Sequence, residues 1–326
     1  MISNTEIFNI KTSQEFEELA LKTFIFQFEN NSVYRSFCDL LYKNPSDITS
    51  IKDIPFLPIQ FFKSHEVLSS KSGIEKTFAS SGTTGSITSK HFVNDINLYE
   101  ESFRKGFHHF YGNIEDYVVL ALLPSYLERD GSSLIYMVDD LIKKSKHPES
   151  GFYLNNLGEL ATTLNRLENK KQKTLLIGVS FALLDLVEEF QLNLNHTIVM
   201  ETGGMKGRRK EIIRQELHEI LKSGFSIDSI HSEYGMTELL SQAYSKGNGV
   251  FECPPWMKIL TRDTEDALSI QQPNQTGGIN IIDLANLNSC AFIATQDLGK
   301  VYKNEAFEII GRFDNSDIRG CNLMAL

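Results

Sequence analysis

At 326 residues the chain exceeds the usual size of one domain, and 41% hydrophobic with 23% charged residues is the composition of a folded globular protein. The formal net charge of −10 opposes the clustered Lys and Arg that a nucleic-acid partner requires. The most apolar stretches, residues 117–123 and 174–187, fall short of the roughly 20 residues that cross a bilayer, and Met1-Ile2-Ser3-Asn4-Thr5-Glu6 lacks the basic region and apolar core of a secretory signal. The expectation is a cytoplasmic protein with no membrane span and no nucleic-acid partner.

In chain order, apolar and aromatic residues recur at helical spacing over residues 13–42, and Ile54-Pro55-Phe56-Leu57-Pro58-Ile59 then imposes an extended connector. Thr77-Phe78-Ala79 reads as a strand entering a Ser/Thr/Gly run, and residues 90–93 as a strand leaving it. Residues 117–123 form a strand-length apolar run. Ser132 or Ser133 can cap a helix whose inner face is Leu134, Val138, Leu141 and Ile142. Strand and helix then alternate: 174–179 with 181–190, Thr197–Glu201 with 208–222, and 227–231. The helix after Gly207 is expected to bury Ile213, Leu217, Ile220 and Leu221 and to end at Gly224. This βαβαβ series predicts parallel strands whose following turns share the ligand edge of an α/β sheet. From Val250 onward, short strands at 278–283, 291–295 and 307–310 read as a β-rich lobe. The expected fold class is α/β, with parallel-rich sheets and flanking helices plus that lobe. The expected division is residues 1–249, 250–310 and a tail of 311–326.

Ser80-Ser81-Gly82-Thr83-Thr84-Gly85 puts four hydroxyls and two glycines in six residues, so backbone N–H groups and side chains can converge on an anion such as a triphosphate. No Gly-Lys-Ser/Thr follows, which removes the P-loop reading. Taken alone, the run also reads as a flexible polar hairpin. Tyr234-Gly235-Met236-Thr237-Glu238 offers an aromatic face for a base, close backbone approach, a hydroxyl for a phosphate and a carboxylate for Mg²⁺. It equally reads as a core tyrosine followed by a capping threonine. Asp297, in Thr295-Gln296-Asp297-Leu298-Gly299, reads as following a strand, and Arg312, in Gly311-Arg312-Phe313-Asp314, as lying in a turn. Either can reach ribose or phosphate oxygens, and either can be a solvated turn.

Taken in order, these segments and the Thr202-Gly203-Gly204 turn resemble the adenylate-forming superfamily of acyl-CoA synthetases, luciferases and peptide-synthetase adenylation domains. The resemblance implies ATP and Mg²⁺ as cofactors. It gives the phosphate role to Ser80, Ser81, Gly82, Thr83, Thr84 and Gly85 with Lys90, and the adenine, α-phosphate and Mg²⁺ roles to Gly203, Gly204, Tyr234, Gly235, Thr237 and Glu238. Ribose falls to Asp297 and Arg312. Two motifs depart from the family pattern. The usual Pro-Lys is replaced by Ile87-Thr88-Ser89-Lys90, and Tyr-x-Thr-Gly-Asp becomes Ala294-Thr295-Gln296-Asp297.

Within the superfamily, Pro55-Phe56-Leu57-Pro58-Ile59, Phe61-Phe62-Lys63 and the tail Arg319-Gly320-Cys321 resemble the acyl-protein synthetase branch of bioluminescent bacteria. The resemblance implies a branch without the mobile C-terminal domain, in which Cys321 takes the acyl group from the adenylate and passes it to a partner protein. A thiolate is the competent nucleophile for that step. Cys321 also reads as an incidental cysteine near the end of the sequence. Cys38, Cys253 and Cys290 read as core residues, because the four cysteines show no disulfide or zinc spacing. Lys206, Arg208, Arg209 and Lys210 read as solvated helix-start charges or as neutralisers of pyrophosphate, and His108, His109 and His231 have no evident partner. The implied partners are a fatty or aryl carboxylic acid and an acceptor protein, carrier or CoA. Two alternatives stand beside this reading: a phenylacetate-type CoA ligase, and a non-catalytic nucleotide-binding protein.

Overall fold

In the computed structural model, residues 2–69, 73–80, 88–124, 131–203 and 212–313 are described. The chain forms two units, one of Met1–Ser72 with Pro255–Leu326 and the other of Gly73–Pro254.

The first unit begins with α1 (Asn4–Phe8), α2 (Ser13–Asn30) and α3 (Ser32–Leu40). Ser3 with Glu6, and Thr12 with Glu15, close capping boxes that satisfy the first amides of α1 and α2. Asn31 takes an extended conformation (φ −105°, ψ 105°) that ends α2, and its side chain accepts from Tyr34 N–H to start α3. The proline-rich connector carries the short strand β1 (Leu57–Pro58) into α4 (Phe61–Ser64).

The second unit opens with an antiparallel pair, β2 (Lys76–Ala79) and β3 (Lys90–Val93), followed by α5 (Ile96–Tyr111). Then come β4 (Val118–Leu122), α6 (Ser133–Ser145), β5 (Gly151–Phe152), α7 (Leu157–Asn169), β6 (Thr174–Gly178), α8 (Ser180–Glu189), β7 (Thr197–Glu201), α9 (Arg214–Phe225) and β8 (His231–Tyr234). Strands β5, β4, β6, β7 and β8 pair in that order, all parallel. Every residue of β4 and β6 is buried, as expected of a parallel sheet covered on both faces. Strands β9 (Ala243–Ser245) and β10 (Val250–Glu252) extend the sheet antiparallel from β8.

The first unit is completed by an antiparallel meander, β11 (Met257–Arg262), β12 (Thr276–Asp283), β13 (Phe292–Val301) and β14 (Phe307–Arg312), with β1 lying parallel to β13. Phe24, Tyr34, Phe56 and Phe292 form its aromatic core. The fully buried Gln27 donates to the Asn286 and Leu287 carbonyls and accepts from Ala291 N–H, so α2 supplies the polar partners of the β12–β13 connection.

The parallel α/β series follows the sequence reading, with four local differences. The inner face of α6 is Ile135, Met137, Val138 and Leu141, while Leu134 and Ile142 are half-buried. Helix α9 starts at Arg214 rather than 208, so Ile213 lies before it and is exposed. Its buried face is Leu217, His218, Leu221 and Phe225, with Ile220 exposed. Gly224 is inside α9, not its terminator; Ser226 in the left-handed region ends the helix. Strand β8 begins at His231, because alternate residues Ser232 and Tyr234 are the buried ones, and so it contains Glu233 and Tyr234. Asp297 and Arg312 likewise sit within β13 and β14 rather than in turns.

A Cβ at Gly224 would overlap Val187 of α8, so glycine lets the two helices approach. Overpacking costs about 1–3 kcal/mol against roughly 1 kcal/mol regained by removing a helical glycine, so Gly224→Ala is expected to destabilise by about 1 kcal/mol. Urea denaturation checks this, and an unchanged or raised midpoint would contradict the close approach.

Candidate functional site

Within the second unit, Gly178 pairs with Glu201 and Glu201 with Ser232 across β6, β7 and β8, so these parallel strands reach one edge together. The turn after β7 passes through Gly203 (φ 74°), which a residue with a side chain adopts only under strain. The turn after β8 carries Gly235, Met236, Thr237 and Glu238 back into β9 with no intervening helix. Thr237 therefore has no helix to cap.

The β2–β3 connection is closed at its base. Ser80 N–H donates to the Ser89 carbonyl at 3.0 Å, and Ser89 N–H donates to Ser80 Oγ at 2.9 Å. Lys90, exposed, opens β3 opposite Ala79. The next residue, His91, is buried, and its Nδ1 lies 2.8 Å from the Thr237 carbonyl. A carbonyl only accepts, so Nδ1 carries the proton. This bond ties the strand leaving the Ser/Thr/Gly loop to the turn bearing Thr237.

Two acidic groups meet at the ends of β7 and β8. Glu201 is 2% exposed; its Oε2 accepts from Gly203 N–H at 2.6 Å and from the Ser180 hydroxyl at 3.3 Å. Arg214 Nε and His218 Nε2 lie 3.6 and 3.7 Å from Oε1, at ion-pair rather than hydrogen-bond range. Burial works to raise the Glu201 pKa, but His218 and the Arg214 guanidinium outweigh it and hold the group below the usual carboxylate range. Glu233 goes the other way. Burial, together with the neighbouring Glu201 charge, pushes it up to about 8.

A cavity of about 130 Å³ lies at this edge, lined by Tyr99 of α5, the start of α6 from Ser132 to Leu134, Thr202, Glu233, Gly235, Met236, Thr237 and Gln242, among other residues. A Cβ at Gly235 would press on Glu233 Oε1, so a larger residue there would have to displace the Glu233 carboxyl. Tyr234 is buried and packs edge-on to Phe251, with ring centroids 5.9 Å apart. Glu238 is also buried.

Of the residues singled out in the sequence, this unit contains Ser80, Lys90, Gly203, Tyr234, Gly235, Thr237 and Glu238, and of these Gly235 and Thr237 line the cavity. In the other unit Asp297 and Arg312 face each other on β13 and β14, with Arg312 Nε 3.0 Å from Asp297 Oδ1. Ser81, Gly82, Thr83, Thr84, Gly85, Gly204 and Cys321 lie outside the described residues, as do Lys206, Arg208, Arg209 and Lys210. His231 has a partner after all: its Nδ1 meets the Tyr111 hydroxyl at 3.2 Å, and burial, aided by Lys246, lowers its pKa to about 4. Glu201, Glu233 and His91 were not singled out. Glu201 had a weak signal, as an acid ending an otherwise uncharged strand; the other two had none.

Residues 6–101 match the family model described as acyl-protein synthetase, LuxE. No curated protein sequence matches the chain. Among solved structures, ATP-bound MatB from Rhodopseudomonas palustris is similar at 15% identity and a TM-score of 0.55, over 73% of this chain and 48% of that one. A 2-hydroxyisobutyryl-CoA ligase in complex with 2-HIB-AMP is similar at 12% identity and a TM-score of 0.69, over 93% of this chain and 68% of that one. The same ligase in complex with 2-HIB-AMP and CoA gives 12% and 0.69, over 94% and 70%. The chain spans about half the length of the MatB structures. At these identities the likeness is one of fold, and the fold is that of these adenylate-forming ligases.

Glu233 is raised above the ordinary 4.5, so between about 4.5 and about 8 the folded state holds more protons than the unfolded state. Its contribution to stability is complete below that window and is lost as the pH rises through about 8. Glu201 is shifted downward and contributes above the ordinary carboxylate range, with loss only in acid. Urea midpoints of the wild type are therefore expected to fall relative to Glu233→Gln from pH 5 to 8 and to run parallel above that; parallel curves throughout would contradict the assignment.

Proposed function

We propose that this chain, with its LuxE family match over residues 6–101 and the fold of the adenylate-forming ligases, uses ATP to activate a carboxylic acid as its acyl-adenylate. The observation that carries the reading is the meeting, within one unit, of the closed base of the Ser/Thr/Gly loop with the Thr237 turn through His91, beside a cavity at the carboxyl edge of the sheet. In this reading the acid's carboxylate oxygen bonds to the α-phosphorus of ATP, the bond from that phosphorus to the bridging oxygen breaks, and pyrophosphate leaves. Thr237, Thr84 and the amides of the loop that contains Ser81, Gly82, Thr83 and Gly85 stabilise the charge on the phosphate oxygens. Lys90 assists with the phosphates, Gly203, Gly204, Tyr234 and Gly235 take the base and its approach, and Asp297 and Arg312 keep the ribose role implied by the resemblance.

Among the described residues no cluster of three or more His, Cys, Asp or Glu side chains forms a metal cage. Mg²⁺ is usually held by one or two carboxylates together with substrate phosphates. Glu238 is the residue that would hold it, and the ion would neutralise phosphate charge. The acyl group then passes to a thiol, Cys321 or an external one, with AMP as leaving group and a protein or carrier as final acceptor. A second reading makes CoA the acceptor; the 2-hydroxyisobutyryl-CoA ligase, of similar fold, binds CoA alongside its adenylate.

Exchange of labelled pyrophosphate into ATP, screened over a panel of acids, tests the first step. Acid-dependent exchange is expected, and none with any acid would count against activation. Thr237→Ala should lower the exchange rate about a hundredfold, the scale of losing one preorganised donor to a developing oxyanion, with the fold intact by circular dichroism. Cys321→Ser separates the acceptors. Loss of a hydroxylamine-sensitive acyl-enzyme with exchange intact supports the cysteine route, whereas unchanged thioester formation with CoA supports the second reading.

A further inference from the structure

The cavity at the end of β8 is lined mainly by hydrogen-bonding groups, the Glu233 carboxyl among them. Thr202 Oγ1 is buried with no hydrogen bond among the described residues. Ser132 Oγ accepts from Ile135 N–H as the cap of α6 and keeps its own proton to donate. The Gln242 side chain also faces the space. Because burial beside Glu201 pushes Glu233 up to about 8, near neutrality its carboxyl offers both an O–H donor and a carbonyl acceptor. An aliphatic chain filling this space would take water from the accessible polar groups and offer Thr202 Oγ1 no hydrogen bond, which is the costly way to bury polar atoms.

Size points the same way. A cavity of roughly 150 Å³ accommodates a benzene ring, so the 130 Å³ here admits about five or six non-hydrogen atoms. An acyl chain of about twelve carbons would need roughly twice the room and would have to extend out of this half-open cavity.

We propose that the acid activated by this chain is short and carries a hydroxyl or amino substituent that hydrogen-bonds Glu233, with its carboxylate at the Thr237 end of the cavity. The proposal rests on the activation reading above and narrows its acid from the fatty or aryl class to a small polar one. A hydroxyl donates to or accepts from the protonated Glu233. An ammonium group instead draws the proton off Glu233 to solvent and pairs with the carboxylate, next to the negative charge of Glu201.

The experiment is acid-dependent pyrophosphate exchange by wild type, Glu233→Gln and Glu233→Leu. The acids are 3-hydroxybutyrate, 3-aminobutyrate, further short hydroxy and amino acids, butyrate, benzoate and tetradecanoate. At least one short substituted acid should exceed its unsubstituted counterpart about tenfold or more in kcat/KM, because a site built around a polar group rejects the analogue that lacks its partner. Tetradecanoate should give no exchange. Glu233→Leu should abolish the discrimination while still exchanging butyrate. Retention of a hydroxy acid by Glu233→Gln, or loss of an amino acid, identifies the substituent. Preference for tetradecanoate or benzoate, or equal use of butyrate and its substituted forms, overturns the proposal and leaves activation standing. Silence with every acid fails the activation reading itself, and the proposal falls with it.

Discussion

A carboxylate withheld from water at the end of β7 organises the ligand edge of the second unit. Glu201 cannot be buried alone, and its partners come from three places: the amide of Gly203 in the turn after its own strand, the hydroxyl of Ser180 at the start of α8, and the edge of α9 through the Arg214 guanidinium and the His218 ring. Removing one partner of such a buried ion pair typically costs about 3–5 kcal/mol, so the cluster fixes how the chain leaves β7 and re-enters the sheet. On the neighbouring strand burial raises the Glu233 pKa, and the Glu201 charge adds to that shift. One ionised and one neutral acid on adjacent strands, rather than two carboxylates, is the electrostatic solution the burial permits.

Around that edge the parallel register does the positioning. Strands β6, β7 and β8 come to the edge together, so the turns after β7 and β8 open side by side. The His91 bond to the Thr237 carbonyl then attaches the separate β2–β3 hairpin to the second of these turns. In the proposed reaction these turns would give the nucleotide and the acid adjacent supports on rigid elements, which is what oriented transfer between two bound reactants requires. The cavity between them is polar because Glu233 replaces a carbon surface with a neutral acid.

Periodicity made β4, β6, β7 and the alternation around them legible, because fully buried parallel strands are uninterrupted apolar runs of characteristic length. It misplaced β8, whose residues 231–233 are all polar while the preceding Ile227 and Ile230 look more strand-like. It also misread the start of α9, since Ile213 fits the helical period but lies just outside the helix. Glycine was overinterpreted as punctuation at Gly224, which lies inside α9 and makes room for Val187. In the site, Thr237 and Glu238 stood out because residue type and order carry their chemistry. Glu233 and His91 did not, because their roles come from a carboxylate and a carbonyl distant in sequence. Cys321 and most of the Ser/Thr/Gly loop lie outside the described residues, so their roles rest on the resemblance.

The central claim is that a carboxylate oxygen bonds to the α-phosphorus of ATP. The most direct measurement supplies an accepted acid labelled in its carboxylate with heavy oxygen, together with ATP and hydroxylamine as acceptor, and weighs the nucleotide products. The account predicts AMP carrying one heavy oxygen from the acid, with unlabelled pyrophosphate. Formation of ADP, with the label in inorganic phosphate, would show attack at the γ-phosphorus and contradict it.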